Sequence, residues 1–469
     1  MKGLNSDILK LAVPSILANI TVPLVGMADI AVAGNLDTHA ATMIGGIAVG
    51  SMLFDLVYWN FGFLRVGTGG LTAQAFGRGD FRETARILTR AIGISLVCAL
   101  VLIGLQLLIV KGAFLVVDCS PQVRELASKY FFIRIWAAPA TLSLMAFKGW
   151  FIGMQDSVSP MITDFVVNGV NVGASLVLAL GIGSWNGIGF PGIAAGTVMA
   201  QYCGLLSALW IILEKYRERV FDGFDFNELK DVFKGGQTRR FFVMNADLFV
   251  RSLCFIGIYI GFTTISAGYG DLLLATGSIM MKLLMIFSYF TDGFAYAGEA
   301  LTGKYIGAGN SAMLRRTVLW TFTWSMGIAL VFMGIYHFCG RWMLEFLTSD
   351  SSVVQMASEY LPWLLMMPLV GCAAFTWDGI YIGATASMKM RNSMIWATVV
   401  FFLVYFAGIY GLDLYFPSVT VSGSPIEGAS ARNVVAMHIL MAAYFAHLVV
   451  RAIHLSFNYR KTVLLPHNA

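Results

Sequence analysis

A single carboxylate interrupts a long apolar run near the beginning of the chain. Asp29 lies in "VGMADIAVAG", residues 25–34, and no other charged residue precedes it in that run after Lys10. An ionised side chain at the centre of a bilayer costs at least about 2.5–3.5 kcal/mol, because burial disfavours the charged form. Such a group can load and release a proton or bind a sodium ion. The alternative is a hydrogen-bonded carboxylate that only ties two helices together.

Polar side chains recur with helical spacing in two further apolar segments. One segment carries four of them, each three or four positions from the next: Asp164, Asn168, Asn171 and Ser175. This spacing places all four on one face of a helix. The following segment adds Thr197 and Gln201. Because lipid leaves polar groups unpaired, these residues are predicted to face the protein interior and to converge on Asp29.

The second half of the chain carries more charge in its apolar segments. Asp247 and Arg251 are spaced i, i+4 and are predicted to pair with each other. A set of five residues lies on one helical face of a following segment: Lys282, Tyr289, Asp292, Tyr296 and Glu299. Asp378 lies at the end of a later apolar segment. Two interpretations stay open. These groups contribute to transport or bind substrate, or Arg251 and Lys282 neutralise the carboxylates in a network that braces this half.

The composition identifies a polytopic membrane protein. The chain has 469 residues, of which 58% are hydrophobic and 12% charged, whereas a soluble protein is about a quarter charged. A membrane-spanning helix needs about 20 apolar residues. Twelve segments meet that requirement, near residues 8–33, 44–69, 87–110, 122–147, 160–183, 191–213, 241–265, 272–298, 317–339, 353–377, 393–416 and 430–455.

The two halves of the chain repeat each other. "LTAQAFGRGD" begins at residue 71 and "LTGKYIGAGN" at residue 301, and the offset of 230 persists as far as Ser157 and Ser387. Two copies of six spans have the same orientation and form two lobes around an axis along the membrane normal, a design for alternating access. The predicted fold is therefore all-α, with twelve transmembrane helices in two pseudo-symmetric six-helix lobes. The predicted boundaries are 1–213 for the N-terminal lobe, 214–240 for a cytoplasmic linker and 241–469 for the C-terminal lobe with a short tail.

The distribution of basic residues predicts the orientation. Lys and Arg cluster in the loops after the second, sixth and eighth spans, and the alternate loops contain almost none. The positive-inside rule then places both termini on the cytoplasmic side of a plasma membrane. The scattered cysteines predict no structural metal, and no nucleotide-binding motif occurs. We expect no enzymatic activity, no cofactor and no nucleic-acid partner.

Four long segments resemble one family of transporters. They are "LAVPSILANITVPLVGMADIAVAGNL", "YWNFGFLRVGTGGLTAQAFGRGD", "FSYFTDGFAYAGEALTGKYIGAG" and "WDGIYIGATASMKMRNSM". In this order they resemble the multidrug and toxic compound extrusion (MATE) family, in its DinF-like branch. The resemblance implies a two-lobed antiporter that expels cationic or amphipathic organic compounds against inward proton or sodium flow. Its partners would be membrane lipid and small-molecule substrates, and we expect a monomer.

The resemblance also implies roles for individual residues. Asp29 resembles the cation-coupling aspartate of the first span, and Pro14 the proline at which that helix bends. Asn171 and Thr197 resemble further members of the same site, to which Asn168 and Ser175 also contribute. Where the family commonly has N-x-x-N-x-x-x-D, this chain reads "NGVNVGAS", so Ser175 replaces a second carboxylate. One carboxylate favours a proton over sodium as the coupling ion, although sodium stays an alternative.

Two other functions compete with an antiporter. The first is a flippase for lipid-linked precursors, which would need a large cationic cavity for a pyrophosphate. The basic residues of the spans are few and are matched by carboxylates. The second is a receptor or scaffold without transport, which the two-lobe repeat disfavours.

Overall fold

Helices account for every regular element in the part of the chain that the structure describes. The computed structural model describes residues 2–34, 36, 40–117, 119–220, 236–348, 350–415 and 431–464. The helices are α1 Lys2–Gly34, α2 Ala40–Trp59, α3 Phe63–Gly77, α4 Phe81–Val116, α5 Pro121–Arg134, α6 Ala138–Gly153, α7 Val158–Leu180, α8 Phe190–Lys215, α9 Arg217–Val220, α10 Gly236–Ala267, α11 Asp271–Gly307, α12 Ser311–Leu347, α13 Ser351–Glu359, α14 Leu361–Gly383, α15 Ser387–Tyr415 and α16 Ala431–Tyr459.

Twelve helical segments among the described residues are long and apolar enough to cross a membrane. Short 3-10 turns join α2 to α3 and α5 to α6, so each of these pairs forms one span. Several helices run past the predicted spans; α4, for example, has 36 residues. Hydropathy marks only the stretch that suits the hydrocarbon core, whereas the helix continues into the more polar regions on either side. The prediction of twelve transmembrane helices is confirmed.

The surface of the spans is apolar where lipid would contact it. The helix α4 exposes a row of large aliphatic side chains, namely Leu96, Val97, Leu100, Val101, Leu105, Leu107 and Leu108. A continuous apolar surface of this kind would be a liability in water. It is the surface that a bilayer requires, since the backbone polar groups of a helix are already satisfied internally.

The chain divides into two compact units. The N-terminal unit consists of Lys10–Asn245 with Gly303–Ala308, and the C-terminal unit consists of Met1–Leu9, Ala246–Thr302 and Gly309–Ala469. Of the predicted linker 214–240, residues 221–235 lie outside the described residues, and α9 lies just before them.

The internal repeat extends to close helix crossings. In the N-terminal unit a Cβ on Gly149 of α6 would overlap the carbonyl oxygen of Arg65 in α3. In the C-terminal unit a Cβ on Gly379 of α14 would overlap the carbonyl oxygen of Ala295 in α11. Both glycines and both partners are 230 positions apart. Each unit therefore uses a glycine at the same place to bring two helix backbones into contact.

Turns and helix starts repeat with the same offset. Asp80 caps α4 by accepting from the backbone N–H of Glu83, and Asn310 caps α12 by accepting from that of Met313, both at 3.0 Å. Side-chain oxygens at this position satisfy donors that the first helical turn leaves open. Gln155 and Thr385 both have positive φ, 64° and 54°, in the turns after α6 and α14. The repeat in the amino-acid sequence is thus also a repeat of backbone conformation.

A buried carboxylate joins three helix ends of the N-terminal unit. Asp156, in the turn between α6 and α7, accepts from Lys215 Nζ and Tyr216 OH, each at 2.7 Å, and from Ser159 Oγ. Burial opposes ionisation of Asp156, but hydrogen bonds from Lys215, Ser159 and Tyr216 outweigh burial and hold the pKa of this carboxyl below its usual value. The ionised form therefore stabilises the junction of α6, α7 and α8.

Replacing Asp156 by Asn should lower the thermal unfolding midpoint at neutral pH, and this deficit should shrink in acid. A carboxyl with a lowered folded-state pKa contributes stability above its unfolded pKa of about 3.9 and loses it as pH falls through the folded value. Midpoints of wild type and variant, measured from neutral pH down to about pH 3, test this. Glu345→Gln, which breaks an exposed ion pair with Arg341, is the control and should change little. A deficit that stayed constant across this range would contradict the assignment.

Candidate functional site

A cavity of about 480 Å³ lies within the N-terminal unit. Helices α1, α2, α5, α6, α7 and α8 all contribute side chains to its wall. Its volume falls in the range of pockets that bind drug-sized molecules. The polar residues of its lining are Asp29, Ser51, Asp55, Arg134, Thr141, Lys148, Asp164, Asn168, Asn171, Thr197 and Gln201. The structure therefore brings together the polar faces of the first, fifth and sixth spans around Asp29.

Asp29 is held by one hydroxyl group. The residue is only 5% exposed, and Ser175 Oγ donates to Asp29 Oδ1 at 3.3 Å. The same hydroxyl lies 3.4 Å from the carbonyl oxygen of Ile193 in α8. A hydroxyl has one proton and two acceptor lone pairs. Ser175 can therefore donate to an ionised Asp29, or donate to Ile193 and accept from a protonated Asp29, without moving its oxygen.

A second hydrogen-bond chain connects α7 to α8. Asn171 Nδ2 donates to Thr197 Oγ1 at 2.9 Å, and Thr197 Oγ1 donates to the carbonyl oxygen of Ile193 at 3.2 Å. Since the only hydroxyl proton of Thr197 is used, Asn171 must present its amide N–H₂ to it, which leaves the amide oxygen. That oxygen is buried and has no hydrogen-bond partner among the described residues. It is an acceptor that a proton or a cation entering the site can satisfy.

Small residues set the distance between α7 and α8. A Cβ on Gly196 of α8 would lie 2.6 Å from Ser175 N and 2.7 Å from Ser175 Oγ. The loop between these helices contains four glycines with positive φ: Gly181, Gly183, Gly187 and Gly189. Such backbone conformations are easy only for glycine. The two helices consequently run close together, and Ser175 reaches both Asp29 and Ile193.

A further hydrogen bond connects α1 to α7, at Thr21. Asn168 Nδ2 donates to Thr21 Oγ1, and Thr21 in turn donates to the carbonyl oxygen of Ala18 at 2.7 Å. Pro14 and Pro23 both lie inside α1, which is continuous from Lys2 to Gly34. Each proline removes one backbone donor. The bending role of Pro14 stays a prediction, whereas the contact of Thr21 was not foreseen from the sequence.

Two cations of the cavity, Arg134 and Lys148, were not predicted from the sequence. Arg134 Nη1 donates to Tyr130 OH at 3.0 Å and to Ser51 Oγ at 3.4 Å. Lys148 Nζ pairs with Asp164 at 2.6 Å. Both cations belong to the predicted span at 122–147 or directly follow it. A basic residue within a span is itself a signal of a functional or buried polar site, and it was available in the sequence.

The C-terminal unit pairs its charges differently from the prediction. Asp247 forms an ion pair with Arg391 and accepts from Ser387 Oγ at 2.8 Å. Arg251 instead pairs with Asp378. The predicted pair of Asp247 with Arg251 is therefore wrong. A pair at i, i+4 on one helix contributes only about 0.2–0.5 kcal/mol, and partners on neighbouring helices have displaced it.

Asp378 joins three helices of the C-terminal unit. Arg251 from α10 and Arg451 from α16 both donate to the same oxygen, Asp378 Oδ2. The side chain of Arg451 is only 4% exposed. Buried guanidinium–carboxylate contacts of this kind require both partners, because removing one leaves an uncompensated charge.

The predicted stripe on α11 spans different environments. Lys282 is exposed, Asp292 and Tyr296 are half-buried, and Glu299 is completely buried. The helical spacing is as predicted, but a face that runs along a 37-residue helix passes from surface to core. A role of these residues in substrate binding stays a prediction.

The fold and the buried polar cavity define a polytopic membrane transporter. The family model described as MatE matches residues 14–177 and 248–408, one region in each half. The chain belongs to the MatE family, and the resemblance found in the four motifs is confirmed.

Sequence relatives support the same assignment. DNA damage-inducible protein F of Escherichia coli (strain K12) is 34% identical over 393 residues, covering 84% of this chain and 83% of that protein. Multidrug and toxin extrusion protein 1 of Homo sapiens is 22% identical over 321 residues, 67% of this chain and 53% of that protein.

Solved structures support the fold. An outward-facing structure of a multidrug resistance MATE family transporter of the MOP superfamily superposes with a TM-score of 0.80 at 14% identity. The superposition covers 98% of this chain and 96% of that one. A crystal structure of MATE in the bent conformation gives a TM-score of 0.79 at 15% identity, covering 99% and 96% of the two chains.

Replacing Gly196 by Ala should destabilise the site. The added methyl would crowd the backbone and hydroxyl of Ser175, and overpacking of this kind typically costs about 1–3 kcal/mol. A lower thermal unfolding midpoint of the purified protein measures the effect. The matched control is Gly173→Ala on the exposed side of α7, where nothing lies within 4 Å, and helix propensity there favours Ala by up to about 1 kcal/mol. Equal midpoints for the two variants would argue against the tight crossing.

Proposed function

We propose that this protein is an antiporter that exports cationic or amphipathic organic compounds in exchange for protons entering the cell. The observation that carries the proposal is the buried Asp29 carboxylate, held by Ser175 in the wall of a drug-sized cavity. An intramembrane carboxylate that faces a cavity rather than lipid is the usual element of a proton relay. The name of the human relative, a multidrug and toxin extrusion protein, agrees with such a substrate range.

Protonation of Asp29 changes the charge of the cavity. Three carboxylates and two cations line it, a formal net charge of −1. A proton arriving from outside neutralises Asp29, so the lining loses its net negative charge and its attraction for a cation. The protonated carboxyl can donate to Ser175, whose own proton then turns to Ile193. We expect α1 to bend near Pro14, the cavity to shrink and substrate to leave outward; release of the proton inside resets the unit.

The donor set favours a proton over sodium. Ser175 contributes a neutral oxygen where a second carboxylate would strengthen a cation site, so Asp29 is the only formal negative charge in this hydrogen-bonded group with Asn171 and Thr197. A single buried carboxylate with hydroxyl and amide neighbours can be neutralised by one proton with no further ligands. Sodium would need several of these oxygens at once, and it is the second candidate ion.

The location and assembly follow from the same proposal. A carrier of this kind would lie in a bacterial inner membrane with both termini cytoplasmic, and would work as a monomer because each chain contains both halves of the repeat.

A flippase for lipid-linked pyrophosphates is disfavoured, since the lining of the cavity has more carboxylates than cations and would repel a pyrophosphate.

Asp29→Asn should fold but lose coupling. In proteoliposomes, efflux of a fluorescent organic cation under an imposed pH gradient should fall to the level of protein-free vesicles, because an amide cannot release a proton. Asp7→Asn, at the start of the same helix and outside the cavity, is the control and should transport normally. Normal pH-driven efflux by Asp29→Asn would contradict the proposal. Absence of transport by wild type under both pH and sodium gradients would instead favour the flippase.

Ser175→Asp should change the coupling ion. A second carboxylate beside Asp29 raises the negative charge of the site, and mutual repulsion is relieved by binding a cation. We expect efflux by this variant to respond to a sodium gradient to which wild type is indifferent. Ser175→Ala, which removes the hydroxyl without adding charge, is the matched control and should not acquire sodium dependence. Sodium-driven transport by wild type itself would mean that the neutral hydroxyl does not select the proton.

A further inference from the structure

We infer that the N-terminal unit binds an anionic phospholipid where α3 ends and α10 begins, at the end of the unit that the positive-inside rule predicts to be cytoplasmic. Arg78, Arg239 and Arg240 would contact the phosphate of the lipid, and Phe242 with Val243 its acyl chains. The site is separate from the cavity of this unit, whose lining does not include these residues. The inference does not depend on the proposed export function.

The end of α3 lies beside the beginning of α10. A Cβ on Gly67 of α3 would lie 2.4 Å from Asn245 Oδ1 of α10, so the two helices are in close contact at this level. Nearer to their ends, the charges of Arg78 and Arg240 act on each other. Residues 236–245 of α10 belong to the same compact unit as α3. Both parts of the proposed site are therefore held together within one unit.

Positive charges gather at this junction. The side chains of Arg78, Arg239 and Arg240 are all exposed, and the repulsion between Arg78 and Arg240 is unfavourable. In the described part of the chain, no ion pair is recorded for Arg78 or Arg239. A phosphate oxygen carries the opposite charge and accepts hydrogen bonds from guanidinium groups, which hold phosphates bidentately. An anion between these arginines would relieve the repulsion and use donors that the protein leaves available.

The carboxylates that follow Arg78 in the chain have other partners. Asp80 caps α4 by accepting from the backbone N–H of Glu83 at 3.0 Å. The carboxylate of Glu83 lies 2.7 Å from Arg90 Nη1, in an ion pair that is largely buried. Neither of these described carboxylates pairs with Arg78. The end of α3 therefore keeps a positive charge that faces outward.

An apolar surface adjoins the arginines. Arg239, Phe242 and Val243 are spaced i, i+3 and i+4, which places them on one face of α10. Phe242 is 49% exposed and Val243 54% exposed. The candidate membrane span of α10 begins at Thr238, so the arginines lie where the hydrocarbon core gives way to lipid headgroups. Basic residues beside a transmembrane helix attract anionic lipids. A free phosphate would contact only the arginines, whereas a phospholipid contacts both surfaces.

The first test compares two lipids that differ in net charge. Purified protein in neutral detergent is titrated with dioleoyl phosphatidylglycerol or dioleoyl phosphatidylcholine, and bound lipid is counted by native mass spectrometry. Because each basic residue near a phosphate contributes about fivefold in affinity, wild type should bind phosphatidylglycerol at least about tenfold more tightly. Equal affinities would overturn the inference. Glycerol 1-phosphate, which lacks acyl chains, should not displace the lipid; binding as tight as that of phosphatidylglycerol would identify a free phosphate compound as the ligand and overturn it too.

Substitution of two arginines should remove the preference. Arg78→Gln combined with Arg239→Gln should weaken phosphatidylglycerol binding about twentyfold and leave phosphatidylcholine binding unchanged. The matched control combines Arg124→Gln with Arg341→Gln, which removes the same charge from two exposed arginines elsewhere, and should alter neither affinity. An equal loss in both double variants would mean that net charge rather than a site attracts the lipid, which would contradict the inference.

Thermal unfolding separates lipid binding from a general loss of structure. In detergent alone, the double variant of Arg78 and Arg239 should unfold at the same midpoint as wild type, because no described ion pair is lost. Added phosphatidylglycerol should raise the midpoint of wild type and not that of this variant. Arg78→Lys combined with Arg239→Lys keeps both charges and should retain most of the shift. A shift of equal size in wild type and the glutamine variant would overturn the inference.

The apolar part of the site has its own test. Phe242→Gln combined with Val243→Gln should weaken phosphatidylglycerol binding while Arg78 and Arg239 stay in place, because the acyl chains lose their contact surface. Unchanged affinity would show that the acyl chains do not bind here and would contradict a lipid site. All of these measurements are made without a gradient or an organic cation, so their outcome is independent of the antiporter.

Discussion

The burial of one carboxylate constrains the N-terminal unit more than any other single feature. Asp29 is the only charged residue of α1 after Lys10, so its charge or its proton must find a partner inside the protein. Ser175 supplies that partner, and it does so only because α7 and α8 cross closely at Gly196. The hydrogen bond from Asn171 to Thr197 connects the same two helices. A hydroxyl that lies between two acceptors allows the carboxyl to change protonation with little movement of its neighbours.

The two units share their architecture but use charge differently. The same offset of 230 relates the glycine crossings at Gly149 and Gly379 and the helix caps at Asp80 and Asn310. The polar residues do not follow this symmetry. In the N-terminal unit they line an open cavity, whereas in the C-terminal unit Asp378 lies between two arginines that tie three helices together. Backbone geometry has been kept between the copies, and the chemistry of the interior has diverged.

Pairing also distinguishes the two cations of the N-terminal cavity. Lys148 forms an ion pair with Asp164, whereas in the described part of the chain Arg134 donates its hydrogen bonds to the hydroxyls of Tyr130 and Ser51. This difference depends on neighbours rather than on residue type. Selectivity in such a cavity is therefore a property of the whole set of charges, since each cation or acid alters what its neighbours attract.

The sequence by itself determined the class of protein, the number of spans and the repeat. Hydropathy over twenty residues reports the cost of placing a helix in lipid, and that cost is local. Helical spacing likewise predicted that Asn168, Asn171 and Ser175 share a face, because a helix places its side chains by position alone.

Which helix faces contact each other depends on long-range packing. The tertiary structure decided that Arg134 and Lys148 join Asp29 in one cavity, and that Asp247 and Arg251 each pair with a residue more than a hundred positions away. Contacts between helices are set by crossing angles and close approaches at glycine, which no local pattern of residues encodes.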